Sequence, residues 1–430
     1  MLKELILRCI HEEIVETTGC TDPGVVAYAA SKAASLLEGE ITGVTVNVSN
    51  NVYKNGVMVG IPGTSVSGMN LAAAMGIYLK DHADRALSVM EYVSDDVFAQ
   101  AQKLLATGVV SVKPQEDCPD PLYVHAIVKT QTDTAEVIIA HDYDYIIQIV
   151  KNDEILLTKP IPQDAGSSVD QLLGHNVEEI FNCIEDADHE EFAFLLEHAQ
   201  VNLDSLQKAK EVIPPAGLLP PAPEMPMPYS MMHLAKENTF CLAKARMIGL
   251  KLPVIAVTGS GNHGITSFIG TMTVASALGI AQNREKLLKA LAICIITVVY
   301  IKGYIKRMTA FCGCTVAAST GVCAATTYML GGNYSQICKA IDSLLCSLCG
   351  ILCDGAKETC AFKLSTGVSS AIEYAWLAVN NNFGPPPVNG ILSGTIEKTF
   401  AAMGRINNPG MTETDKVLVK IVSENDEANR

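Results

Sequence analysis

Apolar positions recur at helical spacing through LKELILRCIHEEIVETT, so the chain is expected to open on an amphipathic helix over residues 2–18 that ends at the turn TTGCTDPG. Pro23 suits the first position of a second helix, with Thr21 or Asp22 as its N-cap and VVAYAASKAASLL as its apolar body. ITGVTVNVS then alternates as a strand does. The Asn-Asn, Asn-Gly and Pro-Gly steps of NNVYKNGVMVGIPGT mark tight turns, in a surface loop or in a loop that faces substrate. Residues 69–107 follow a helical pattern. GVVSVKP, YVHAIVKT, AEVIIAHD, YIIQIVKN and EILLTK are successive short strands with polar turns between them, which predicts a small antiparallel α+β domain over residues 41–165.

Residues 166–213 return to a charged helical pattern, in which His189 and His198 lie among carboxylates on a solvated face. Seven prolines in the fifteen positions 214–228 exclude a helix or inner strand and predict an extended linker. Beyond it the periodic segments 229–249, 264–280, 284–306, 315–330, 334–351 and 361–381 predict a helical bundle whose loops carry the chemistry. The fold class expected is α+β: a mostly helical catalytic domain over 229–430, the smaller α+β domain inserted near the N-terminus, and helices within residues 1–40 packed on the catalytic domain. The most apolar run, Ala290 to Ile301, is twelve residues long and stops at Lys302, which suits a buried helix better than a membrane span.

Charge and cysteine content narrow the function. A formal net charge of −15 argues against nucleic acid and against an anionic membrane surface as partners, leaving a small molecule, with a second copy of the chain (a homodimer) as the protein partner carried forward. The chain opens on an amphipathic helix rather than a signal peptide, so a reducing cytoplasm is the compartment expected, and fourteen cysteines there are core packing or metal ligands rather than disulfides. Cys9, Cys118, Cys183, Cys241, Cys294, Cys323 and Cys338 are expected to pack as small hydrophobes, as are Cys346 and Cys349 on one face of a helix.

Two cysteine sites stand apart. Cys312-Gly313-Cys314 sits in a short turn before a helix, and Cys353 and Cys360 flank Gly355. An unbroken helix would separate Cys353 from Cys360 by about 10 Å of rise, so a break at Gly355 is predicted that lets both thiols reach one point. Thiolates delivered this way suit an iron–sulfur cluster, and a cluster held by three cysteines leaves one iron open to act as a Lewis acid. VIAVTGSGNHGITSF places an apolar run before a glycine-rich turn and a helix start. Gly259, Ser260, Gly261 and Asn262 there would cradle a carboxylate or a phosphate. His263 is a proton shuttle or a hydrogen-bonded loop residue. Cys20 precedes a helix N-terminus, where the dipole would lower its pKa.

Taken together, TGCTDPG, VYKNGVMVGIPGT, TGSGNHGI, FCGC and ILCDGAKETCAFKLSTG resemble the L-cysteine desulfidase family, which is related to the catalytic chain of iron–sulfur L-serine dehydratases. The match runs from Cys20 to Gly367. The resemblance implies an oxygen-sensitive [4Fe–4S] cluster, with no pyridoxal phosphate, that removes sulfide from L-cysteine to give pyruvate and ammonia. It implies Cys353 and Cys360 as ligands, with Cys312 or Cys314 as the third; Cys20 as the base or an extra ligand; and the glycine-rich loop as the holder of the substrate carboxylate. Asn51, Lys54, Asn55 and Lys357 are further candidates for substrate contacts. Three rivals remain: L-serine dehydration on the same cluster; a pyridoxal-phosphate eliminase, suggested by SGNHG but needing a Schiff-base lysine where only Lys244 is near; and a closed Cys₄ zinc or redox-sensing site.

Overall fold

In the computed structural model, residues 1–64, 66–162, 166–213, 225–306, 308–380 and 390–428 are described. Most of the predicted linker, residues 214–224, lies outside them. The architecture is α+β; the described residues form eight strands in two sheets, with helices making up the larger part. The strands are β1 (Ile14–Thr18), β2 (Gly43–Ser49), β3 (Val110–Gln115), β4 (Tyr123–Lys129), β5 (Thr134–Ala140), β6 (Ile146–Lys151), β7 (Glu154–Thr158) and β8 (Pro253–Val257).

Six strands form one sheet in the order β3-β2-β4-β5-β6-β7. Four of its pairings are antiparallel as predicted, but β2 and β3 run parallel, with Val44 opposite Val110. The reason is connectivity: a hairpin cannot join them, because the helices of residues 50–106 cross between β2 and β3 and return the chain to the same end. Val44, Val46, Val48, Val124, Ala126, Val128, Val137 and Ile139 point to one buried face.

Three sequence expectations are corrected. The first helix ends at Glu13, and Ile14–Thr18 is a strand, paired antiparallel with β8 so that Glu16 faces Ile255. A five-residue strand continuing the apolar spacing of a helix leaves no break in the periodicity to mark it. Helix Thr21–Ala34 packs in the core of the six-stranded sheet, whereas the first helix packs in the helical core. Its small-residue body, with Ala27 and Ala30 against Gly76, lets helix Met69–Tyr78 approach closely. Residues 50–56 are no loop: Ser49 caps a short helix by accepting from the amide of Val52, and Val52, Tyr53 and Lys54 are buried.

Helix Arg284–Ile305 is the spine of the helical core. It is the one described helix long and apolar enough to cross a membrane, and 94% of its apolar window is buried inside the protein, as the sequence reading anticipated for its central run. Helix Ser319–Met329 packs against it, and helix Cys360–Asn380 packs in turn on Ser319–Met329, Tyr229–Met247 and Tyr334–Leu348, all close to the predicted segments. A helix the sequence reading did not resolve, Thr412–Ala428, crosses back to the sheet, where Val419 and Val422 join its core.

Candidate active site

The two cysteine turns are stitched together by backbone hydrogen bonds. The amide of Cys312 donates to the carbonyl of Ile351 (2.7 Å) and that of Cys353 to the carbonyl of Ala310 (2.8 Å), with Phe311 paired to Leu352 as an isolated antiparallel bridge. The chain breaks at Gly355 as predicted. Its φ is +93°, and a Cβ there would lie 2.0 Å from the carbonyl oxygen of Lys54. Only glycine satisfies both the left-handed backbone and the close approach. The break lets the Cys360 thiol donate to the Gly355 carbonyl (3.5 Å) at the start of the next helix.

A cavity of about 1040 Å³ opens onto these turns, and Cys20, Cys312, Cys314, Cys353 and Cys360 all line it. So do Asn51, Asn55, Gly259, Ser260, Gly261, Asn262 and His263. Cys314 donates to Cys312, which holds Cys312 below the usual thiol range and pushes Cys314 above it. Burial raises Cys353, against the opposing charge of Lys54, and pushes Cys360 up to about 12. Among the described residues no three His, Cys, Asp or Glu side chains converge tightly enough to hold a single metal ion.

Ser260 caps the short helix Gly261–Gly264 by accepting from the amide of His263, which aims the glycine-rich turn at the cavity. His263 is buried. The Thr258 hydroxyl donates to the Val257 carbonyl (2.8 Å), so it accepts from His263 Nδ1–H (2.9 Å) and leaves Nε2 as the acceptor. Nε2 faces the cysteine turn: a Cβ on Gly313 would come within 2.6 Å of it. Burial, and then the positive charge of Lys302, bring the His263 pKa down to about 3, so the ring is neutral.

Cys20 departs from expectation. Burial, and next the negative charge of Asp22, push its thiol up to about 12, because removal from water outweighs the helix end. Its Sγ–H donates to Asp22 Oδ2 (3.5 Å), and the Tyr143 hydroxyl donates to Oδ1 (3.5 Å). Burial raises Asp22 to about 7.

Two candidate lysines stand outside the lining. Lys54 is buried and ion-paired with Asp415 of helix Thr412–Ala428, and Lys357 donates to the Asp354 carbonyl (2.8 Å) and pairs with its carboxylate. Lys54 is drawn off by an acid remote in sequence, Lys357 by the aspartate three residues before it in its own motif. Lys244 pairs with Glu358 (2.9 Å) and is not in the lining either. Among the cysteines assigned to packing, Cys9, Cys241, Cys294 and Cys323 are buried, while Cys118, Cys183, Cys338 and Cys349 are half-buried and Cys346 is exposed. Helix Tyr334–Leu348 ends near Cys346, so that thiol is left at a surface terminus rather than under a neighbouring helix.

The sequence reading passed over Arg246 entirely. It is 4% exposed, lines the cavity, and donates from Nη2 to the Gly19 carbonyl (2.6 Å) and from Nη1 to Asn262 Oδ1 (3.1 Å). Asp22 and Lys302 line the cavity too. The sequence marks the first only as an N-cap, a position that Cys20 takes instead, and the second only as the end of an apolar run, in a helix that in fact continues to Ile305. No spacing rule marks an isolated charged residue whose burial depends on distant segments.

The serine dehydratase alpha chain family model matches residues 84–420. UPF0597 proteins of Methanocella arvoryzae (40% identical, 98% of this chain and 99% of the relative), Clostridioides difficile (33%, 97% and 99%) and Clostridium perfringens (30%, 100% and 100%) are similar along essentially the whole length. A cavity walled by motif cysteines and a glycine-rich turn thus sits in a chain that belongs to the serine dehydratase alpha chain family.

Proposed function

We propose that the protein is a cytoplasmic L-cysteine desulfidase that eliminates sulfide from L-cysteine to give pyruvate, ammonia and hydrogen sulfide. The observation that carries this reading is the meeting of Cys312, Cys314, Cys353 and Cys360, from turns 40 residues apart, with Cys20 and the glycine-rich turn around one cavity. The donor set suits a [4Fe–4S] cluster. Such a cluster takes one thiolate at each of several irons, so its ligands ring a volume instead of gripping one ion. That accords with four thiols that line one cavity.

Cys312, Cys353 and Cys360 are the proposed ligands, since the backbone ladder ties the first two and Gly355 delivers the third. The bound cluster would supply a Lewis acid that makes the β-substituent a better leaving group. The chain's own residues do the rest. As the Cys20 sulfur takes the α-proton, its own thiol proton passes to Asp22, so that no free thiolate has to form in the buried site. The amides and side chains of Gly259 to Asn262 hold the carboxylate and fix the angle of attack. His263 Nε2, neutral and facing the cysteine turn, accepts a hydrogen bond from the substrate. Asn51 and Asn55 also line the cavity. Aminoacrylate leaves the site and hydrolyses in water.

L-Serine dehydration is a second reading, favoured by the description of the matching family model. Both are tested by reconstituting the protein anaerobically with iron and sulfide, counting both elements, and assaying L-cysteine and L-serine in parallel. Four irons with preferential sulfide release supports the desulfidase. Preferential turnover of serine replaces it, and one zinc with no acid-labile sulfide ends both.

A further inference from the structure

A guanidinium carries five N–H donors and a charge that is not titrated away inside a protein. At Arg246 two of those donors are engaged, and both acceptors are neutral: a peptide carbonyl and an amide oxygen. Nε–H has no hydrogen-bond partner, although the residue is almost wholly buried. Among the described residues no carboxylate forms an ion pair with it; Asp22, the acid whose field it feels, is committed to Cys20 and Tyr143. A buried cation left with neutral partners is costly, and such a site is completed by an anion. The guanidinium lies flat against the glycine-rich turn, with its Cζ 2.7 Å from where a Cβ of Gly261 would be, on the wall of the cavity that the thiols share.

We propose that Arg246 is the specificity-determining residue that selects a free carboxylate on the substrate, so that the site takes α-amino acids and rejects amines, esters and amides of the same side chain. This deepens the functional reading above and rests on it for the identity of the side chain, not for the anion. Arg246 ties the N-terminal turn (through Gly19) to the glycine-rich turn (through Asn262), so an anion bound to it is held by both halves of the site at once. Planar pairing of a guanidinium with a carboxylate supplies both charge and direction.

The test uses the anaerobically reconstituted holoenzyme and the variants Arg246→Gln and Arg246→Lys. Equilibrium binding of 3-mercaptopropionate (thiol and carboxylate) and of cysteamine (thiol and amine) is measured by calorimetry beside L-cysteine kinetics. The wild type should bind 3-mercaptopropionate and discriminate against cysteamine. Arg246→Gln should weaken 3-mercaptopropionate and raise the KM for L-cysteine by roughly ten- to a hundredfold, as expected for a lost charge-assisted bond, with kcat changed far less and cysteamine binding unaltered. Arg246→Lys should recover part of the loss. Equal losses for both ligands in Arg246→Gln, or no loss for either, overturns the proposal. A wild type that turns over neither cysteine nor serine yet binds the carboxylate through Arg246 sinks the functional reading and leaves this one standing.

Discussion

Asp22 holds a carboxyl that is 4% exposed between two donors, and its burial couples folding to pH. Its folded pKa of about 7 lies above the ordinary 3.8, so the folded chain keeps a proton that the unfolded chain has released. The stability tied to that proton is complete below about pH 4 and is lost as pH rises through 7. Asp22→Asn removes the titration. Its stability advantage over the wild type should grow by about 1–3 kcal/mol between pH 5 and pH 8 in urea denaturation and stay flat above that. His263 titrates in the opposite sense, since its depressed pKa takes stability away as pH falls below the usual 6.5, but it is common to both proteins and cancels. A pH-independent difference would mean that Asp22 carries no titration there. At the cysteines the prediction is compositional. Cys353→Ser and Cys312→Ser should fail to retain iron on anaerobic reconstitution, while Cys314→Ser retains it; equal loss in all three would make Cys314 a ligand as well. The cysteines, the glycine-rich turn, His263 and Cys20 were legible because chemistry-bearing residue types sat beside Gly, Pro or Asx turn signals. Arg246, in CLAKARM on a helix, was not, because burial of one charge is decided by Gly19 and Asn262, which are remote in sequence.

The short helix Asn50–Gly56 is the element whose role sequence reasoning misjudged most. Its Asn-Asn and Asn-Gly steps carry turn propensity, yet packing overrides it. The helix is held by the Ser49 cap, by Lys54 paired with Asp415, and by a contact from Asn55 Nδ2 to Met308 Sδ (3.7 Å). Its backbone then abuts Gly355 of the cysteine loop. The break at Gly355 could be foreseen, since two thiols at that spacing cannot meet on a helix. What pressed against it could not. Gly355→Ala therefore strikes two elements together, adding a side chain at positive φ and driving a Cβ into the Lys54 carbonyl. A loss of at least ~3 kcal/mol in urea denaturation is expected, with reduced iron retention. A variant as stable as the wild type would mean that the loop and the short helix separate readily.

Across the whole molecule the site depends on a return crossing of the chain. Most elements of both layers could be read from periodicity, but not which layer each joins, because a helix of small residues such as Thr21–Ala34 suits either a sheet or a bundle. The same holds for Thr412–Ala428, whose amphipathic pattern gives no hint that Asp415 reaches Lys54, that Asp426 accepts from the Tyr53 hydroxyl (3.3 Å), or that Val419 and Val422 enter the sheet core. This last helix braces Asn50–Gly56, which in turn backs the cysteine loop. Burying a charge at Val419 should release that brace without touching the spine. In hydrogen exchange followed by mass spectrometry, Val419→Asp should accelerate exchange in Thr412–Ala428 and Asn50–Gly56, while Arg284–Ile305 keeps its protection. The same variant should lose iron faster than the wild type on exposure to air. Uniform acceleration across all three segments would show that the helix contributes general stability and has no particular hold on the site.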